Sequence, residues 1–172
     1  MTRPYSVFST VFLLFLLFAG IAARAQQPQD LAADDRIIRA VTVDDLRALA
    51  AAEGIQISRI GNYGPVSLDG ITADGLRFRM IGTACIEGET VCRGLHFNAT
   101  YGASADVTAE KVNAISLKLI AVSVWERDGQ LGISRYVILD GGQQMANVKA
   151  NLRNFLEAVP LVTGEIWPST AR

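Results

Sequence analysis

Two stretches of this sequence alternate apolar and polar residues, and they fit one another. Leu76, Phe78 and Met80 alternate with Arg77 and Arg79; Leu95, Phe97, Ala99 and Tyr101 alternate with His96, Asn98 and Thr100. A period of two is what a strand with one buried face requires. Cys85 and Cys92 lie between the two stretches. If the cysteines oppose each other in an antiparallel hairpin, the numbers of paired residues add to 177. Met80 then faces Phe97, Phe78 faces Ala99 and Leu76 faces Tyr101, all on the apolar face. Arg79 faces Asn98 and Arg77 faces Thr100 on the polar face, together with the cysteines. A slip of one residue would set apolar against polar throughout, so the pattern selects this register.

The rest of the chain is organised around that hairpin. Thr42-Val43-Asp44-Asp45 opens a helix, with Thr42 as cap, acidic residues in the first turn and Gly54 as the stop. Ile55–Ser58 and Val66–Leu68 read as strands separated by the turn Gly61-Asn62-Tyr63-Gly64-Pro65; Thr72-Ala73-Asp74-Gly75 is a further turn. Thr108 caps a second helix that carries Val112 and Ile115. Lys118–Glu126 and Gln130–Leu139 are apolar and β-branched around Asp128-Gly129, a strong hairpin signal. A two-residue loop there puts Val124 opposite Ile133, Ile120 opposite Val137, and Trp125 over Gly132. Gln143–Val159 carries Met145, Val148, Leu152, Phe155, Leu156 and Val159 at helical spacing; Pro160 either ends the helix or kinks it, with Leu161 to Trp167 adding another turn. The order α-β-β-β-(β)-α-β-β-α predicts an α+β domain, an antiparallel sheet flanked by helices.

The N-terminus reads as an address. Arg3 precedes an uncharged stretch, Tyr5 to Ala23, whose centre is solid Val, Phe and Leu; Ala23-Arg24-Ala25 and a polar segment follow. That is the layout of a secretory signal peptide, residues 1–25, cut after Ala25. The dense apolar run is shorter than the ~20 residues of a comfortable membrane span, and no later stretch approaches that length. Residues 26–40 read as a flexible leader with a solvated acidic cluster (Asp30, Asp34, Asp35), and 41–168 as the domain. Cleavage removes two arginines and leaves 14 basic against 17 acidic residues, net −3. This balance argues against a nucleic-acid partner, which calls for a basic excess.

An exported chain meets an oxidising compartment, so Cys85 and Cys92 are expected to form a disulfide. The competing readings are redox-active thiols, although Cys-x6-Cys is not the Cys-x-x-Cys spacing, and a metal site with His96. Along a strand four residues span ~13 Å, too far for Cys92 and His96 to share an ion. A single histidine and two cysteines also exclude two-histidine and four-cysteine sites. A Ser-His-Asp triad could use only His96; no nucleophile elbow, phosphate loop or dinucleotide fingerprint is present. Gly141-Gly142 read as a strand-to-helix turn rather than an anion cradle. Glu87, Glu89, Asp69 and Asp74 read as loop or turn charges rather than a catalytic pair. Asn98-Ala99-Thr100 matches a glycosylation acceptor. No catalytic, cofactor-binding or metal residue is assigned, and no cofactor is expected.

The ordered set resembles the YbjN domain family over residues 41 to 168. The matching stretches are Val43–Gly54, Gly64-Pro65-Val66, Asp74-Gly75-Leu76-Arg77-Phe78, Cys85 and Cys92 with Leu95 and Phe97, Val112-Asn113, Arg127-Asp128-Gly129 and Leu139-Asp140-Gly141-Gly142. One departure is the family's Asn-x-Trp-Asn-like segment, which reads Asn113-Ala114-Ile115-Ser116 here. The resemblance implies a fold like that of type III secretion chaperones. It also implies kinship with proteins described as proposed regulators of bacterial sensory transduction, with no catalytic residues to carry over. The expected protein is a non-enzymatic binding or regulatory module, periplasmic or secreted, for an unidentified protein or peptide partner. Chaperones of this fold work as dimers, which makes a homodimer one expected arrangement. The alternative is a periplasmic protein that binds a small ligand or lipid.

Overall fold

A computed structural model describes residues 28–168. The chain runs through α1 (Pro28–Leu31), β1 (Ile37–Ile38), α2 (Val43–Ala52), β2 (Gln56–Ile60), β3 (Ser67–Ile71), β4 (Arg77–Cys85) and β5 (Cys92–Gly102), then α3 (Ala109–Lys118), β6 (Ser123–Arg127), β7 (Gln130–Ile138), β8 (Gln143–Gln144) and α4 (Met145–Ile166). Six strands form one antiparallel sheet in the order β2-β3-β4-β5-β7-β6, and β1 pairs with β8. This is the expected α+β architecture. The segment expected to be a signal peptide, residues 1–25, lies outside the described residues.

Local sequence explains the element boundaries. At α2 the Thr42 hydroxyl accepts from the Asp45 N–H (3.2 Å), and the Asp45 carboxylate accepts from the Thr42 N–H (2.8 Å), so both halves of a capping box form. Asp128 and Gly129 both take positive φ, 54° and 72°, as the tight turn between β6 and β7 requires. The hairpin registers are those the alternation predicts: Met80 pairs with Phe97, Arg79 with Asn98, Cys85 with Cys92, Val124 with Ile133, and Trp125 with Gly132.

The structure corrects the sequence reading in four places. The first concerns the cysteines, which do not share the polar face. Cys92 is fully buried in the core while Cys85 is exposed. Ala84 takes a φ of 49° just before Cys85, which breaks the alternation at that end of β4. Val41 then closes over Cys92 through two backbone hydrogen bonds, of 2.8 and 3.0 Å. Cys92 and Val66 fill the space above Gly82: a Cβ there would lie 2.6 Å from Cys92 Sγ and 2.8 Å from Val66 Cγ1. Both neighbours are held, one by the disulfide and one by burial. Gly82→Ala is therefore expected to destabilise the fold by about 1–3 kcal/mol in urea unfolding. Gly94→Ala should cost less, because its Cβ would meet the hydroxyl ends of Tyr136 and Thr83, and Tyr136 is exposed and free to swing away. Equal costs at the two glycines would contradict this packing.

Second, Lys118–Val122 is not strand. α3 runs through Lys118, β6 begins at Ser123, and Ile120 projects into solvent instead of facing Val137. Val112, Ile115 and Leu119 lie on one helical stripe against the core. That packing outweighs the β-branched composition. Third, α4 starts only at Met145; at its other end it runs through Pro160 to Ile166, the one of the two expected outcomes in which Leu161 onward adds a further turn. Val162 and Ile166 prolong its buried stripe, and this burial offsets the backbone hydrogen bond that proline cannot make. Gln143 and Gln144, expected in this helix, pair instead with β1.

Fourth, within residues 26–40, expected to be a flexible leader, the part from Asp34 onward is tied to the domain. The Met145 N–H donates to the Arg36 carbonyl (2.8 Å) and the Ala146 N–H to the Asp34 carbonyl (3.0 Å). Lys149 Nζ lies 2.6 Å from the Asp34 carboxylate, so Asp34 is not a merely solvated charge.

Candidate functional site

The described helices leave one face of the sheet open. Their buried side chains join a single core with Phe78, Met80, Leu95, Phe97, Ala99, Leu131 and Ile133. On the opposite face the strand registers align Arg59, Asp69, Arg79, Asn98, Ser134 and Ser123 in one polar row that crosses all six strands. The neighbouring row is Ser67, Ile81, His96 and Tyr136. Two aromatic side chains cover glycines on this face, the hydroxyl end of Tyr136 at Gly94 and the indole ring of Trp125 at Gly132.

A pocket of about 380 Å³ opens on the β2–β3–β4 side of the polar row, lined by Ser58, Arg59, Asn62, Tyr63, Asp69, Arg77, Arg79, Asn98 and Thr100 among others. The β2–β3 turn supplies its wall. The Tyr63 N–H donates to Ser67 Oγ (3.0 Å), whose hydroxyl donates to the Gly64 carbonyl (2.8 Å). The turn so folded sets the Tyr63 ring under the Arg79 guanidinium, 4.3 Å from its carbon to the ring centroid. Asp69 Oδ1 lies 3.7 Å from Arg79 Nε, an ion pair too long for a hydrogen bond, and that buried oxygen has no hydrogen-bond partner among the described residues. Three arginines, Arg59, Arg77 and Arg79, and one carboxylate, Asp69, line the pocket, so its lining carries a net charge of about +2. Such a site attracts anions and presents no nucleophile–base pair.

His96 stands beside the pocket, half-buried between Ile81 and Tyr136 in its row. Burial lowers its pKa below the ordinary 6.5. The unfolded chain therefore takes up a proton at a higher pH than the native one. The contribution to stability is complete above about pH 6.5 and is lost as pH falls through the lower native value. The urea midpoint is expected to drop between pH 7.5 and 5.5, and His96→Gln should flatten that drop. The carboxylates held low, Asp34 by Lys149 and Asp74 by the Thr72 hydroxyl, act in a separate and more acidic window. An unchanged pH profile in His96→Gln would remove His96 as its cause.

The other residues singled out in the sequence do not gather into a site. Cys85 and Cys92 are joined in a disulfide. Beside it Ala84, Ile86, Arg93, Tyr136, Ile138 and Asp140 line a broad depression that continues the open face as its apolar end. Glu87 and Glu89 are exposed in the β4–β5 loop. Gly141-Gly142 precede β8 rather than α4. Asn98 is 6% exposed within a central strand, poorly placed as a glycosylation acceptor. Among the described residues no three of His, Cys, Asp and Glu converge to hold a metal ion. The alternation placed Arg77, Arg79, Asn98 and Thr100 on one face. It missed Arg59 and Tyr63 as site residues. Asp69, expected to be a solvated turn charge, instead lies within β3 opposite Arg79 with one carboxylate oxygen buried; its place next to the apolar Leu68 turns it to the polar face.

No protein-family model matches the sequence, and no curated protein matches it. Among solved structures the chain is similar to YbjN from E. coli, described as a proposed transcription regulator, at TM-score 0.53 and 15% identity over 71% of this chain and 88% of that one. It is also similar to an uncharacterized protein from Methanothermobacter thermautotrophicus, at TM-score 0.51 and 10% identity over 73% and 96% of the two chains. Identities this low establish a YbjN-like fold and nothing finer.

Proposed function

We propose that this chain is a non-enzymatic binding module, exported to the bacterial cell envelope, that engages a protein or peptide partner on the open face of its six-stranded sheet. The observation that carries the reading is the sheet face itself. One side of the sheet is sealed by helices, and the other presents a pocket of arginines at one end and Tyr136 and Ile138, 52% and 60% exposed, at the other. Aromatic and arginine side chains set on a rigid scaffold are the usual anchors of protein recognition. Export is supported by the charged, apolar and small-residue layout of residues 1–25 and by the disulfide. No described helix is long and apolar enough to cross a membrane. A regulatory role exercised through binding follows the description of E. coli YbjN.

The test places a photoreactive residue at Tyr136 or Ser123 on the open face, or at Glu157 or Leu161 on the exposed side of α4, in the full chain expressed in bacteria. Crosslinked adducts in the envelope fraction are expected from the first pair and not from the second. Adducts from the helix side alone, or a protein kept in the cytoplasm with residues 1–25 attached, would overturn the reading. A second reading, a small-ligand protein, is favoured by the pocket beside Arg79.

A further inference from the structure

We propose that the pocket formed by Tyr63, Asp69, Arg77 and Arg79 is a binding site for a small dianion, a phosphate monoester or a dicarboxylate. The inference rests on the open face being the binding surface and names what its polar end takes. Three observations carry it. First, the charge of about +2 set by three arginines against Asp69 is matched by a ligand of two negative charges. Second, Arg79 is held for recognition by its edge. Tyr63 covers one flat side of the guanidinium at 4.3 Å, and Asp69 holds it from 3.7 Å without forming a hydrogen bond. Its N–H groups keep the fork geometry that grips carboxylate and phosphate oxygens in pairs. Arg59 and Arg77 make no ion pair among the described residues, so their charge is likewise uncommitted. Third, the pocket is the size of a small-molecule site, and Asn98 and Thr100 give it a polar floor that can orient a ligand.

The test uses protein purified after expression of the full chain, labelled with ¹⁵N and titrated at constant ionic strength with inorganic phosphate, with succinate, and with chloride. Saturable amide shifts at Arg79, Asn98 and Thr100 are expected with phosphate or succinate and not with chloride. Whichever probe saturates at the lower concentration identifies the ligand as phosphate-bearing or dicarboxylic. Arg79→Lys keeps the charge and loses the fork, and should raise the half-saturation concentration about tenfold. Asp69→Asn removes the opposing charge and should lower it. A circular dichroism melt confirms that each variant is folded. Shifts that stay linear with all three salts, or equal affinities in wild type and Arg79→Lys, would overturn the site. The Tyr136 crosslink lies outside the pocket. Adducts at Tyr136 without anion saturation would overturn this site alone, whereas saturation without adducts would overturn the protein-partner reading alone.

Discussion

Phe155→Ala is expected to lower the unfolding free energy by about 3–5 kcal/mol, enough to leave a domain of this size at the edge of stability. Phe155 is fully buried on the inner stripe of α4, and its ring centre lies 5.9 Å from those of both Phe78 on β4 and Phe97 on β5. It is the side chain through which the long helix is fixed to the middle of the sheet. Truncation removes apolar area and leaves a cavity whose walls are hydrogen-bonded strands on one side and a 22-residue helix on the other. Neither can collapse far, so the cavity cost adds to the transfer cost. Urea unfolding should show the midpoint falling at unchanged slope. Phe155→Leu, which keeps most of the volume, should cost less than half as much. A loss below about 1 kcal/mol for Phe155→Ala would mean that α4 is not anchored there.

Asp45→Ala is expected to cost roughly 3 kcal/mol by loss of a buried charge partner together with a helix cap. The Asp45 carboxylate is 3% exposed. It accepts from the Thr42 N–H and hydroxyl, both at 2.8 Å, and from Arg36 Nη1 at 2.6 Å. Arg36 in turn donates to the Leu31 carbonyl (2.7 Å), and its own carbonyl receives the first N–H of α4. One carboxylate therefore joins the N-terminal segment, the start of α2 and the start of α4. The variant should lose amide protection at residues 31–38 as well as global stability. Thr42→Ala, which removes only the side-chain half of the cap, should cost about 1 kcal/mol and leave that protection intact. Equal effects of the two variants would mean that the Arg36 pair contributes nothing.

The arginine face was partly legible in the alternating sequence, and the reasons divide cleanly. The β4–β5 register could be read because each strand buries one face, so only one pairing keeps Met80 and Phe97 together. The same register set Arg79 beside Asn98. The burial of Cys92 could not be read, because it depends on the positive φ of Ala84 and on Val41 arriving from a distant segment. Arg59 was hidden by a bulge between Ile57 and Arg59 that shifts the β2–β3 pairing. Tyr63 looked like a turn residue, and its contact with Arg79 joins positions far apart in the chain. That the helices cover only one face is a tertiary outcome; amphipathic stripes announce that helices pack on the sheet, not on which side.

We place binding on this uncovered face. Tyrosine oxidation footprinting separates a covered face from a bare one, comparing the purified protein with the same protein in living cells. Tyr63 and Tyr136, 41% and 52% exposed, are expected to react readily in the purified protein and to be shielded in cells, with Met80 protected in both. Equal reactivity of the two tyrosines in purified and cellular protein would contradict the claim.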